Sequence, residues 1–96
     1  MADKNQTLKL PPQSLEAEQA VLGCMLIDPE AVARTLHILT EKSFFNSAHV
    51  HVYTAISNLF EKNETVDNIT VTDELKKIGK LEEVGGAYFI TGLSSD

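Results

Sequence analysis

The chain has no tryptophan and only six aromatic residues, four Phe and two Tyr, so aliphatic side chains must supply most of its core. A single cysteine, Cys24, excludes an internal disulfide framework, and its place in an apolar run fits a reducing compartment. The longest uninterrupted apolar stretch, Ala20 to Ile27, falls far short of the ~20 residues that a membrane-spanning helix needs. The opening Met1-Ala2-Asp3-Lys4-Asn5-Gln6 contains nothing resembling the apolar region of a signal peptide. Positive charge is also scarce: eight Lys and Arg stand against fourteen Asp and Glu, for a formal charge of −6. The bases are scattered along the chain. Nucleic acids and anionic membranes are bound through clustered cations, so direct binding of either is disfavoured. These absences predict an acidic, soluble, cytoplasmic domain.

What is present is helical. The 96 residues, 43% of them hydrophobic, suffice for one small domain. Residues 1–13 are polar and end in Leu10-Pro11-Pro12-Gln13, which predicts a flexible N-terminal tail leading into a folded body over 14–96. Ser14 is a good N-cap, with Glu16 and Glu18 where the helix dipole favours acids, and a first helix is predicted to about Ile27. Leu15, Leu22, Met25 and Leu26 share one face, and Ala17, Val21 and Cys24 the other. Apolar on both sides, its C-terminal half is predicted to be the central, most buried helix, with Gly23 admitting a close neighbour.

Asp28-Pro29-Glu30 restarts the chain as N-cap, N1 and N2. Ala31, Val32, Leu36 and Leu39 form the buried stripe, and Glu30 and Arg34 stand at ion-pair spacing. A short turn over 40–45 then brings Phe44 or Phe45 into the core. Asn46 or Ser47 caps the longest helix, which ends near Lys62, with Asn63 suited to a left-handed C′ position. Its stripes are Ala48, Val52, Ala55 and Leu59, and beside them His49, Tyr53, Ile56 and Phe60. Thr70-Val71-Thr72-Asp73 matches a capping box opening a short helix that Gly79 stops. Gly85-Gly86 breaks the chain before a last helical segment carrying Phe89, Ile90 and Leu93, and Ser94-Ser95-Asp96 reads as a loop. No segment alternates as a strand does. The fold class is all-α, a small bundle of about five or six helices.

No constellation in the sequence carries catalysis. His49 and His51, two apart on a helix, project to different sides, so they are read as structural histidines and no metal site is assigned. Cys24 sits in an apolar helix without an adjacent base, which predicts a buried structural thiol. Glu16, Glu18, Asp28, Glu30, Asp67, Asp73 and Glu74 all fall near helix starts, where capping and dipole roles account for them. Gly79-Lys80 is followed by Leu81 and preceded by Glu74 where a phosphate-binding loop needs its first glycine. Gly85-Gly86 lacks the strand–turn–helix setting of a dinucleotide site. The stretch from Thr72 to Ile78, with acids beside Lys76 and Lys77, reads as a solvated face rather than a DNA-recognition helix. Catalytic, cofactor-binding and metal residues are therefore assigned to none.

The string from Leu10-Pro11-Pro12-Gln13-Ser14 through Leu15-Glu16-Ala17-Glu18-Gln19-Ala20-Val21-Leu22-Gly23 closely resembles the opening of bacterial replicative DNA helicases of the DnaB family. The resemblance continues at Asp28-Pro29-Glu30-Ala31, His49 and Tyr53-Thr54-Ala55-Ile56. It returns at Val66-Asp67-Asn68-Ile69-Thr70-Val71 and at Gly79-Lys80-Leu81-Glu82-Glu83-Val84-Gly85-Gly86. It covers residues 10–93. Asn63 departs from a frequent Gly, and Ser43-Phe44-Phe45 from a commoner Asp-Phe-Tyr.

The resemblance implies a helical N-terminal collar domain, cut before a C-terminal helical hairpin and a RecA-like ATPase domain. It further implies self-association through dimers into a hexamer, and docking of a DnaG-type primase and of a helicase loader. No cofactor is implied for this segment, because ATP and Mg2+ belong to the ATPase domain of an ATP-dependent helicase. A free-standing helical adaptor without an ATPase is the rival reading, and an acid–base enzyme a distant third.

Overall fold

The computed structural model describes residues 14–95, which form six α-helices and one short 3-10 turn, with no strand among them. The tail over 1–13 and the last residue, Asp96, lie outside the described residues.

Local chemistry sets most helix ends. In α1 (Leu15–Ile27) the Ser14 hydroxyl accepts the Ala17 N–H at 3.1 Å. In α2 (Pro29–Ile38) the Asp28 carboxylate accepts the Glu30 N–H at 3.0 Å, with Pro29 at N1. A 3-10 turn (Glu41–Ser43) follows, and Asn46 caps α3 (Ser47–Glu61) through the His49 N–H. Asn63 takes φ 59° after α3, and the Glu64 and Asn63 N–H groups close back on the Leu59 and Phe60 carbonyls. That paired closure satisfies carbonyls the helix end leaves open. Gly79, at φ 74°, ends α4 (Asn68–Lys77) with the same pattern, Lys80 N–H to Leu75 O and Gly79 N–H to Lys76 O. A single turn, α5 (Leu81–Val84), leads through left-handed Gly85 into α6 (Gly86–Ser94).

The start of α4 differs from the sequence reading. The helix opens three residues earlier, with Asp67 as N-cap and Thr70 as its N3 partner: Asp67 Oδ1 accepts Thr70 N–H, and Thr70 Oγ1 accepts Asp67 N–H, both at 2.9 Å. Asp67-x-x-Thr70 closes a reciprocal box as well as Thr70-x-x-Asp73 does, and the earlier one adds a turn of helix. Ser94 likewise belongs to α6 rather than to a terminal loop.

The central helix is α3, not α1. It packs on α1, α2, α4, α5 and the 3-10 turn, and buries Val52, Ala55 and Ile56 completely. The second helix contributes Ala31, Val32 and the capping Leu39, and Arg34 approaches Asp28 at 4.0 Å instead of Glu30. Phe44 enters the core and tilts against Tyr53, whose hydroxyl donates to Leu39 O at 2.6 Å; Phe45 faces outward. Burial, with the Glu41 charge adding to it, pushes the Tyr53 phenol up to about 12.

Around α1, burial is one-sided. Leu22, Met25 and Leu26 point inward, whereas Ala20, Cys24 and Ile27 form an exposed stripe and Leu15 is half exposed. Cys24 is thus an exposed thiol, contrary to the sequence expectation. An all-round apolar helix does not announce its inner face, and here packing by α2, α3 and α6 selects it. Gly23 meets α6: a Cβ there would collide with the Leu93 carbonyl oxygen. Phe60, read as part of an inner stripe, stays nearly half exposed at the end of α3.

Candidate functional site

The acids read as caps divide into two groups. Asp28 and Asp67 occupy cap positions, Glu16 and Glu30 lie exposed in the first turns of α1 and α2, and Asp73 forms an exposed ion pair with Lys77 at 3.4 Å. Glu18 and Glu74 have a different role: both are buried and tie separate elements together.

Glu18 projects from α1 into the start of α3. Its carboxylate accepts the Phe45 N–H at 2.8 Å and the Asn46 N–H at 3.4 Å, and lies 2.6 Å from His49 Nδ1. That distance requires Nδ1 to carry the donated proton. Both side chains are essentially without solvent contact, and the His49 ring stacks on Phe89 of α6 at 5.9 Å. Burial pushes the Glu18 carboxyl up. The Phe45 N–H, the His49 ring, the Asn46 N–H and the His49 charge together outweigh burial and hold the carboxyl below its usual range. This clamp joins α1, the entry to α3 and α6.

Glu74 does the same between α3 and α4. It accepts Lys62 Nζ at 3.0 Å and Asn58 Nδ2 at 3.1 Å, and the Lys62 bond above all keeps its carboxyl below the usual range. At the surface, His51 Nε2 sits 2.9 Å from Glu83, with Lys80 3.5 Å away. The His51 hydrogen bond, then the Lys80 charge, lower the Glu83 carboxyl.

A carboxylate with its oxygens filled and its surroundings closed has no room for a reacting atom. These are positioning groups of the fold. Capping did not predict them, although one signal was legible: Glu18 shares a stripe with Leu22 and Met25, and Glu74 one with Val71 and Ile78. An acid on an inner stripe needs a buried partner. The two histidines are committed to different acids on different elements. Among the described residues no three His, Cys, Asp or Glu side chains gather as metal ligands would. Gly79 serves as a helix stop and Lys80 pairs with Glu83, so neither shapes a phosphate loop. Gly85 and Gly86 join two helices rather than a strand and a helix.

The outer surface is more informative. The three most exposed large apolar side chains among the described residues are Tyr88, Ile69 and Ile27, at 90, 80 and 65%. All three border one groove along the seam of α1 and α6. Its middle section, about 430 Å3, is lined by Ala20, Cys24, Ile27 and Gly92, and it runs into further sections at Tyr88 and at Ile69.

The family model of the DnaB-like helicase N-terminal domain matches residues 10–96. The replicative DNA helicase DnaB of Rhodothermus marinus is 47% identical over 90 residues, covering 94% of this chain and 10% of that protein. Its counterpart from Geobacillus stearothermophilus is 41% identical over 86 residues, 90% of this chain and 19% of that protein. Among solved structures, the N-terminal domain of DnaB helicase from Mycobacterium tuberculosis matches with a TM-score of 0.83 at 42% identity. That match covers 88% of this chain and 59% of the other. The chain spans between a tenth and a fifth of the length of the two helicases.

Proposed function

The chain belongs to the family of DnaB-like helicase N-terminal domains, and from that premise we propose that it is the non-catalytic collar segment of a hexameric, cytoplasmic replicative DNA helicase. It acts in oligomerisation and in docking a DnaG-type primase and a helicase loader. One observation carries this reading: identity of 41–47% runs through nearly all of this chain but through only 10–19% of each relative's length. The one Gly-Lys step, Gly79-Lys80, ends a helix and pairs Lys80 with Glu83. ATP, Mg2+ and strand translocation therefore belong, in this reading, to the rest of such a helicase.

The division of labour is geometric. The Glu18 and Glu74 clamps tie α1, α3, α4 and α6 into one block, and its outer faces meet neighbouring subunits and partners. An antibody raised against 14–93 tests the premise on the native polypeptide. A species several times heavier than 10.5 kDa supports the helicase reading, and one near 10.5 kDa turns the assignment to a free-standing adaptor. In a helicase carrying this segment, charged substitutions on exposed faces reduce primase stimulation and leave ATP hydrolysis largely intact. Equal loss of both activities counts against a docking role.

A further inference from the structure

We propose that the α1–α6 groove is a docking site for an amphipathic helix of a partner protein, with an apolar ridge flanked by basic ends. The inference takes from the reading above only that the partner is a protein, and it is tested on this chain alone, so the two fail separately. The groove is built for bulk it does not itself supply. Its floor is Ala20, Cys24 and Gly92, and open space lies where a Gly92 Cβ would stand. Its borders are Ile27, Ile69 and Tyr88, the most exposed large apolar side chains among the described residues. Along α1, from Glu16 to Ile27, the floor runs about 16 Å, the rise of some three helical turns. Two packed helices present such a seam to the ridge of a third, read as anchors at i, i+3 or i+4, and i+7.

Charge selects the occupant. No Lys or Arg lines the groove, and its acids stand near opposite ends: Glu16 toward the start of α1 and Asp67 beside Ile69. A second copy of this chain, meeting the groove about a two-fold axis, would set each acidic end against the other acidic end, in a chain of charge −6. Lysines flanking an apolar ridge meet both ends favourably.

The probe is a synthetic helical peptide with leucines at i, i+4 and i+7 and lysines at both ends, titrated into the 15N-labelled 96-residue chain. The expected result is saturable shifts of the Ala20, Cys24 and Gly92 amides. The same peptide with glutamates for lysines binds roughly five-fold more weakly, as two exposed ion pairs allow. The double variant Ile27→Asp, Tyr88→Asp loses binding while its amide spectrum away from the groove stays unchanged. Both positions are exposed, so folding survives the test. Absence of saturable shifts, shifts on other faces, or equal binding of the two peptides overturns the proposal. So does concentration-dependent self-association that the double variant abolishes, because the occupant is then a second copy.

Discussion

Glu18 exchanges water for three protein donors, and the exchange holds only while all three stay in place. Glu18→Gln turns an acceptor oxygen into an NH2 that faces other donors, and the stranded backbone N–H groups make the loss about 2–4 kcal/mol. Glu16→Gln, an exposed change in the same first turn of α1, stays within about 0.5 kcal/mol. Urea unfolding of the two variants measures the contrast. The folded-state carboxyl of Glu18 lies below its ordinary 4.5, so the folded chain binds fewer protons there than the unfolded chain does. The stability it contributes is full above that value and is lost as pH falls from 4.5 through the folded pKa. Glu74 adds to the same window with the same sign. Glu18→Gln flattens the acid limb of the stability–pH curve. At the other end of the scale, a Tyr88→Phe variant leaves Tyr53 as the sole tyrosine. Its phenolate absorbance rises only near pH 12, provided the fold persists. Sequence periodicity placed His49 inward but not its partner, because a bond across 31 positions leaves no local trace.

Helix ends were the most legible elements. Ser14, Asp28, Asn46 and Asn63 all do what their residue types favour, since a cap is decided within a few residues. The start of α4 was misread because two overlapping boxes satisfy one rule, and only packing separates them. The two glycines that line the α1–α6 seam make a sharper test of packing between elements. Gly23→Ala drives a methyl against the Leu93 carbonyl, a backbone atom that moves only with α6. Overpacking of this kind costs about 1–3 kcal/mol and outweighs the roughly 1 kcal/mol gained in helix propensity. Gly92→Ala meets nothing and stabilises by roughly 0.5–1 kcal/mol. Thermal melts of the two variants should therefore shift in opposite directions.

For the whole molecule, the all-α class and the inner residues of α3 followed from the sequence, whereas the outward face of α1 did not. A helix apolar on every side is oriented by its neighbours, and α6 lies some 60 residues further along the chain. The described body measures 40 × 26 × 26 Å, and four of its six described bases, Arg34, Lys62, Lys77 and Lys80, stand beside acids rather than free to track phosphates. Fluorescence anisotropy of a labelled oligonucleotide should stay flat at physiological salt up to roughly 100 µM chain, the range where non-specific binders respond. A rise at lower concentration would contradict the charge argument. The seam between α1 and α6 also sets an order of events during synthesis. The first helix leaves the ribosome early, with apolar residues on every side, and the last helix that covers Gly23 leaves late. At ordinary elongation rates the first helix waits about 3–12 s for its cover. Through that interval the nascent chain offers an unclosed apolar rod to chaperones and to neighbouring nascent chains alike.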